Sequence, residues 1–189
     1  MNSPENNNQL WFLTGNLGTG KSSVLRMLVE RKTIRGYHAD EIAKHVMERD
    51  SIKRDPSIFT NPEEKQKTEN LVHPKVWEEI EKNISNQHNK IIIIESALVF
   101  EVGWDQKSPD NIIVTTCDPK IRNKRLIEDR YYTQEYIDQI LKHQLPQEFK
   151  EKNARIIIDT NCPKRELWEK IDKVRRYLKD PKSIEKLVL

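Results

Sequence analysis

Two hydrophobic patterns alternate along the chain. Short runs of consecutive apolar, mostly β-branched residues are typical of strands that are buried on both faces. Between these runs, apolar residues recur at the spacing of amphipathic helices. Strands that alternate with helices in this way predict an α/β fold, with a mostly parallel sheet between two layers of helices. The five predicted strands are residues 10–13, 33–38, 91–94, 112–116 and 155–159.

The helix signals are clearest where capping residues stand beside the periodic segments. Asp118 and Pro119 predict the start of a basic helix, and Thr133 predicts the start of the next one. Asn61 followed by Pro62 predicts the start of a long helix or helix pair that reaches Ile84 and is interrupted at His73-Pro74. A final amphipathic helix carries Leu167, Trp168, Ile171, Val174 and Leu178.

Composition excludes some classes of function but does not identify one. The 189 residues suit one domain, and 33 Lys+Arg against 30 Asp+Glu give a net charge of only +3, which does not favour a nucleic-acid partner. The two cysteines, Cys117 and Cys162, lie far apart and suggest a reducing, cytoplasmic setting. The polar N-terminal residues predict a loose tail rather than a signal peptide, and we expect no membrane partner.

The strongest chemical signal lies between the first predicted strand and the first predicted helix. Residues 15–22 fit the pattern G-x-x-x-x-G-K-[ST], and strand, loop and helix follow in the order that a phosphate-binding P-loop requires. The glycines allow backbone N–H groups to converge on a phosphate at the helix N-terminus. The alternative is an ordinary glycine-rich turn. The expected nucleotide-binding residues are Gly15, Asn16, Leu17, Gly18, Thr19, Gly20, Lys21, Ser22 and Ser23.

Within this loop, Lys21 and Ser22 carry separate tasks. The ammonium of Lys21 would reach the β- and γ-phosphates of a nucleotide, and the hydroxyl of Ser22 would ligate the Mg²⁺ that bridges them. These roles predict a phosphate-bearing nucleotide that binds together with Mg²⁺.

Two carboxylates at predicted strand ends leave alternatives open. Asp40 follows the second strand and is either the N-cap of a helix over residues 41–47 or a general base at the carboxyl end of a parallel strand. Glu95 closes the third strand and is either a carboxylate near the metal or a solvated strand end. The basic side chains after Asp118 are either a solvated face or a clamp on the phosphoryl group.

The ordered motifs resemble the dephospho-coenzyme A kinase family over nearly the whole chain. Beyond the P-loop, the resemblance is carried by Ala-Asp-Glu-Ile-Ala at residues 39–43, Leu-Val-His-Pro at 71–74 and Leu-Val-Phe-Glu at 98–101. It extends through Arg125 and Leu126 to Gln144, Glu148, Lys150 and Ala154. The first of these motifs departs from the family's frequent Asp-Ala-Asp, because His38 stands in the place of the first aspartate.

The resemblance implies a P-loop NTPase fold and a kinase that phosphorylates the ribose 3′-hydroxyl of dephospho-coenzyme A with ATP. It implies one domain over residues 1–189, with an acceptor-binding helical region at 41–88 and a lid at 130–152. It assigns catalysis to Asp40 with Lys21 and Arg125, phosphate contacts to Arg125 and Lys150, and a place near adenine to Asn161. Asp40, His73 and Glu101 would contact the acceptor.

Two other functions stay open. The connector between Val46 and Ile58 is shorter than usual in the family, which allows a kinase for another small acceptor such as a nucleoside monophosphate. A nucleotide-binding protein with weakened catalysis is the third possibility, although Lys21, Ser22 and Asp40 are all present. We expect a monomer or a weak oligomer.

Overall fold

The structure is a computed structural model that describes residues 8–52, 62–88, 90–181 and 186–189. Within these residues the strands are β1 Gln9–Thr14, β2 Ile34–His38, β3 Ile91–Glu95, β4 Ile112–Thr116, β5 Ile156–Asp159 and β6 Leu187–Val188. The helices are α1 Lys21–Leu28, α2 Ala39–Arg49, α3 Pro62–Ser85, α4 Pro119–Arg130, α5 Gln134–Leu141, α6 Gln147–Lys152 and α7 Lys164–Lys179, with a 3-10 helix at Trp104–Lys107.

The described strands form one sheet in the order β2-β3-β1-β4-β5-β6, and every pair is parallel. The predicted α/β architecture is confirmed, but five strands were expected and the sheet has six. The additional strand, β6, is only two residues long, and Leu187 and Val188 pair with Ile156 and Ile157. A segment this short has no periodicity for a sequence pattern to reveal.

Each face of the sheet carries its own core, because successive side chains of a strand point to opposite faces. In β1, Trp11 and Leu13 pack with residues of α1 and α7, whereas Phe12 packs on the other face with residues of α2 and α3. The run 91–94 of β3 is buried completely from end to end, as its four isoleucines predict. Helices on both faces leave the carboxyl edge of the sheet open for a site.

Two details of the helices differ from the sequence prediction. The helix α2 begins at Ala39 with His38 as its N-cap residue, so Asp40 is the second helical residue and the interpretation of Asp40 as the cap is wrong. The helix α3 continues through Pro74 instead of being interrupted there. Val72 and Val76, on either side of Pro74, are both buried, and this packing outweighs the local cost of proline. The predicted cap Asn61 lies outside the described residues, as does the connector from residue 53 onward.

Candidate active site

The P-loop connects the end of β1 to α1 in a conformation that requires glycine. Gly15, Gly18 and Gly20 have φ values of +139°, +76° and +86°. A Cβ atom on Gly15 would lie 2.4 Å from the carbonyl oxygen of Thr115 on β4. The loop therefore passes so close to the neighbouring strand that its first glycine cannot carry a side chain.

The turn at Gly20 presents unpaired N–H groups at the start of α1. Within the described residues, no protein acceptor pairs with the N–H groups of Lys21, Ser22 or Ser23, which precede the first intrahelical bonds. All three residues line one large cavity. Such N–H groups and the positive end of the helix dipole together form an anion-binding site, which we call the phosphate cradle (residues 18–23).

Lys21 is buried beside this cradle. Only 8% of the residue is exposed, and its Nζ atom donates a hydrogen bond of 3.1 Å to the carbonyl oxygen of Asn16. Burial lowers the pKa of Lys21 to about 8, while the charges of Glu95 and Asp40 oppose this shift and those of Lys150 and Arg130 reinforce it. The ammonium is thus a poorly solvated cation that lies within the field of two carboxylates.

Asp40 faces the same space as Lys21. Its residue is exposed, it lies in the first turn of α2, and it lines the cavity together with Lys21, Ser22 and Glu95. The interaction of its charge with Lys21 is consistent with this position. The carboxylate therefore shares one cavity with the cradle and is close enough for its charge to act on Lys21.

His38 and Glu95 form a pair behind Asp40. They are register partners at the ends of β2 and β3, and Nδ1 of His38 lies 2.5 Å from Oε2 of Glu95. Glu95 is only 8% exposed, so it is a held carboxylate rather than a solvated strand end. It lines the cavity with Lys21.

The cavity has a volume of about 1350 Å³ and extends to both sides of the cradle. On the side of α2 and α3 its wall is mixed: Ala43, Met47, Val72, Val76 and Trp104 are apolar, and the charged side chains Lys44, Glu48 and Glu69 lie among them. On the side of α4 and β5 it includes Arg125, Leu126, Thr160 and Cys162. Space for two ligand parts therefore exists on opposite sides of Lys21.

The other residues expected at the site occupy different positions. Arg125 lines the cavity, and its guanidinium donates to the carbonyl oxygen of Thr160 at 3.4 Å and contacts the sulfur of Cys117 at 3.6 Å. His73 lines the cavity, and its ring centroid lies 6.4 Å from that of Trp104. Asn161 is exposed, and its N–H bonds to Asp159 at 2.8 Å, while its neighbours Thr160 and Cys162 line the cavity.

Lys150 and Glu101 bind each other instead of lining the cavity. The Nζ atom of fully buried Lys150 lies 2.8 Å from Oε1 of Glu101 and donates to the carbonyl oxygen of Ala97 at 2.6 Å. Burial lowers the pKa of Lys150, and the carboxylate of Glu101 opposes that shift. Both side chains thus have protein partners at the base of the segment that was expected to be a lid.

The residues of the cradle are compatible with a magnesium ion that is bound together with a nucleotide and shares its phosphates as ligands. Within the described residues, no group of three or more His, Cys, Asp or Glu side chains forms a metal site of its own. Mg²⁺ is usually held by one or two protein ligands plus substrate phosphates and water. The half-buried Ser22 lines the cavity beside Lys21, and Glu95 lines the same cavity; these oxygen donors are compatible with such an ion.

Sequence reasoning missed the polar residues that support the loop from distant segments. Gln144 and Gln147 accept hydrogen bonds from the backbone of the P-loop, and the hydroxyl of Thr115 lies 2.8 Å from that of Thr19. Arg130 lines the cavity and contributes to the pKa of Lys21. Gln144 belongs to the family resemblance, but nothing in its local pattern indicates which atoms it contacts.

The family model and the curated relatives point to the same family. The dephospho-CoA kinase family model matches residues 48–166. A dephospho-CoA kinase of Fusobacterium nucleatum subsp. nucleatum is 30% identical over 183 residues, which cover 85% of this chain and 94% of that protein.

Two solved structures share the fold. The crystal structure of TT1252 from Thermus thermophilus has a TM-score of 0.80 at 22% identity and covers 88% of this chain and 95% of that one. A dephospho-CoA kinase from Campylobacter jejuni has a TM-score of 0.59 at 20% identity and covers 90% and 97%. Among the described residues of the present chain, no helix has the length and apolar character needed to cross a membrane.

Proposed function

The chain belongs to the dephospho-CoA kinase family, and from this premise we propose how its residues divide the work of phosphoryl transfer. It is a phosphotransferase with ATP and dephospho-CoA as substrates. The reaction moves the γ-phosphoryl group of ATP to the ribose 3′-hydroxyl and gives coenzyme A and ADP. The observation that carries the assignment of roles is that Asp40 and Lys21 line one cavity.

The phosphate cradle holds the nucleotide in this proposal. The N–H groups at the start of α1 bind the phosphates, and the ammonium of Lys21 takes up charge that develops on the β–γ bridging oxygen. Arg125 approaches from α4 and adds a cation on the same side. The loop at residues 160–162 lies beside the nucleoside, with Thr160 and Cys162 in the cavity wall and the exposed Asn161 between them.

Asp40 receives the proton of the acceptor. As the ribose 3′-oxygen forms its bond to the γ-phosphorus, the bond from that phosphorus to the bridging oxygen breaks. The hydroxyl proton moves to the carboxylate of Asp40, and the electron pair of the broken bond remains on ADP. A general base must reach the hydroxyl directly, and the place of Asp40 in the same cavity as Lys21 supports this role.

Ser22 would hold the Mg²⁺ through its hydroxyl, with Glu95 available to bind the metal's water ligands. The ion, when bound, would neutralise charge on the β- and γ-phosphates. The protein's own contribution at this point is to keep Ser22 at the first turn of α1, beside the cradle.

The acceptor lies on the other side of the cradle. The apolar part of this wall, with Met47, Val72, Val76 and Trp104, suits the uncharged arm of dephospho-CoA, and polar groups such as His73 and Lys44 lie in the same wall. We retain the division expected from the sequence: one domain, an acceptor region at 41–88, a lid at 130–152 and a chain that acts as a monomer or a weak oligomer. Because the reaction consumes ATP, we also place it in the cytoplasm.

A panel of acceptors tests the proposal. Production of ADP would be followed with ATP and Mg²⁺ in the presence of dephospho-CoA, AMP, CMP or no acceptor. We expect ADP formation with dephospho-CoA and formation of coenzyme A in equal amount. Turnover with a nucleoside monophosphate alone would instead support the second candidate, a kinase for another small acceptor.

A binding measurement makes the third candidate testable in the same experiment. If the protein binds ATP but turns over none of the acceptors, the nucleotide-binding protein with weakened catalysis is the correct description. Lys21→Ala serves as the control, because it should abolish any turnover that arises from the cradle.

A further inference from the structure

Two glutamines hold the first turn of the P-loop from a segment that is distant in sequence. The Oε1 atom of Gln147 accepts the N–H of Asn16 at 3.0 Å, and the Oε1 atom of Gln144 accepts the N–H of Leu17 at 2.9 Å. These N–H groups are consecutive and precede the cradle itself. The glutamines therefore bind the part of the loop that precedes the phosphate cradle, and the N–H groups of residues 21–23 stay available for a phosphate.

The segment that carries them, residues 144–150, is tied to the body of the protein, and we call it the strap. The carboxylate of Glu101 accepts the N–H of Leu145 at 2.7 Å and pairs with Lys150 at 2.8 Å. The side chain of Gln147 also donates to the carbonyl oxygen of Thr115 on β4 at 3.1 Å. Both ends of the strap are thus held by contacts that do not involve the P-loop.

One rigid peptide unit connects the strap to Lys21. The carbonyl oxygen of Asn16 and the N–H of Leu17 belong to the same planar peptide, so fixing one of them fixes the other. The N–H side is held by Gln144, and the oxygen accepts the ammonium of Lys21 at 3.1 Å. The same oxygen accepts the hydroxyl of Thr19 at 2.8 Å. A rotation of this peptide would remove the acceptor that positions the Lys21 side chain.

We propose that Gln144 and Gln147 are positioning residues for the kinase reaction: Gln147 fixes the peptide before Asn16 and Gln144 fixes the peptide after it. Together they set the direction of the Asn16 carbonyl oxygen that holds the ammonium of Lys21 at the phosphate cradle. The inference rests on the proposed function only in taking the cavity as the ATP site. Neither side chain needs to touch the nucleotide. Gln147 does not line the cavity at all, so its effect must pass through the loop.

The decisive measurement is the dissociation constant for ATP of Gln144→Leu and Gln147→Leu, obtained by calorimetry. Without its acceptor, each peptide samples other orientations, and the affinity falls in proportion to the fraction of molecules that remain competent. We expect the dissociation constant to rise about tenfold in each variant, which corresponds to one tenth of the molecules being competent. KM for dephospho-CoA should change less than about twofold. Gln106→Leu changes an exposed glutamine of the 3-10 helix Trp104–Lys107 that lies outside both the cavity and the lid. It is the matched control and should change neither.

A double-mutant cycle with Lys21→Ala separates positioning from direct contact. If the glutamines act through Lys21, Gln144→Leu and Gln147→Leu should weaken ATP binding by less than about twofold in the Lys21→Ala background. Losses that simply add to the loss of Lys21 would overturn the proposal, because the glutamines would then act on the nucleotide independently of the ammonium.

Two further outcomes would also overturn it. A lower melting temperature with unchanged ATP affinity would make the strap a purely structural tie. Tighter ATP binding would mean that the glutamines mask N–H groups that themselves bind phosphate. If a leucine variant does not fold, Gln144→Asn and Gln147→Asn shorten the side chain and should weaken ATP binding in the same direction.

ATP binding is measured without an acceptor, so this test is independent of the reaction. A protein that binds ATP but does not phosphorylate dephospho-CoA would refute the proposed function and leave the positioning role open to confirmation. If the wild type phosphorylates dephospho-CoA as expected but both glutamine variants bind ATP as tightly as the wild type, the proposed function stands and the positioning role is refuted.

Discussion

His38 holds Glu95 in the wall of the cavity that contains Lys21: Nδ1 of His38 lies 2.5 Å from Oε2 of Glu95, at the paired ends of β2 and β3. Among the neighbouring charges, that of Glu95 does most to raise the pKa of Lys21 and so opposes the effect of burial. His38, at the end of β2, therefore acts on the charge of Lys21 through Glu95. Histidine can hold this carboxylate as a hydrogen-bond donor, whereas an aspartate at residue 38 would place two carboxylates side by side.

The pKa of Lys21 sets an alkaline limit on ATP use. Burial lowers this pKa to about 8, so the free enzyme loses its ammonium as the pH rises above that value. We expect kcat/KM for ATP to fall with an apparent pKa of about 8. The ATP dissociation constant of Lys21→Ala, measured by calorimetry because this variant should not turn over, should show no change with this pKa. The γ-phosphate is already ionised there, since phosphate pKa values lie near about 6. Steady-state kinetics between pH 6.5 and 10 (roughly spanning the titration) measures this profile.

Stability should move in the opposite direction over the same range. Between pH about 8 and 10.5 the unfolded chain retains the proton of Lys21 and the folded protein loses it. Stability rises with pH wherever the unfolded state binds more protons. Lys21 should therefore increase the free energy of unfolding as the pH rises across that window. Urea unfolding of the wild type and of Lys21→Ala at several pH values isolates the contribution, because the variant lacks it. An equal pH dependence in both proteins would contradict the lowered pKa.

Glu95→Gln should shift the alkaline limb to lower pH. The carboxylate of Glu95 favours the charged form of Lys21, and its removal lets burial lower the pKa further. Asp40 acts in the same direction but less strongly, so Asp40→Asn should shift the limb by a smaller amount. Glu41→Gln, which changes an exposed carboxylate of α2 outside the cavity, is the control. A limb that stays in place in Glu95→Gln would mean that the two groups do not interact.

Asp40→Asn should lower kcat with little effect on ATP affinity. The amide keeps the shape of the side chain but cannot accept the proton of the ribose hydroxyl, and a positioned base contributes a factor of about 10² to 10⁴ to turnover. Single-turnover kinetics together with calorimetry separates the chemical step from binding. Unchanged turnover would remove Asp40 from the mechanism, since the structure already excludes its role as the cap of α2.

Lys150→Met should destabilise the protein by about 3–5 kcal/mol, the usual cost of leaving one charge of a buried pair without its partner. Glu101 would keep a carboxylate that now accepts only the N–H of Leu145. The double variant Lys150→Met/Glu101→Leu should recover part of this loss, and Lys152→Met, exposed on the same helix, should have little effect. Denaturant unfolding measures all three.

The opposite result would restore the role implied by the family resemblance. If Lys150→Met is as stable as the wild type but binds ATP more weakly, Lys150 leaves Glu101 and contacts phosphate when the nucleotide is present. The buried pair would then describe the protein before it binds ATP.

Much of the architecture is determined by local sequence. The apolar runs at 91–94 and 112–116 are long and β-branched enough to specify buried strands, and the glycines of residues 15–20 specify a turn that few other residues can adopt. A strand followed by this loop and a helix places Lys21 and Ser22 at a phosphate site. These features depend on neighbours in the chain, so a sequence pattern can reveal them.

The tertiary structure alone decided which distant groups complete the site. Gln144 and Gln147 meet the P-loop across 127 and 131 residues, and His38 meets Glu95 across 57. Lys150, expected at the phosphates, has its partner in Glu101, and Asp40 is a helical residue at the cradle rather than a cap. Hydrogen bonds and ion pairs require particular atoms within about 3 Å of each other. Only the packing of the sheet and its helices brings such atoms together, because hydrophobic periodicity specifies a face and leaves the polar partner undetermined.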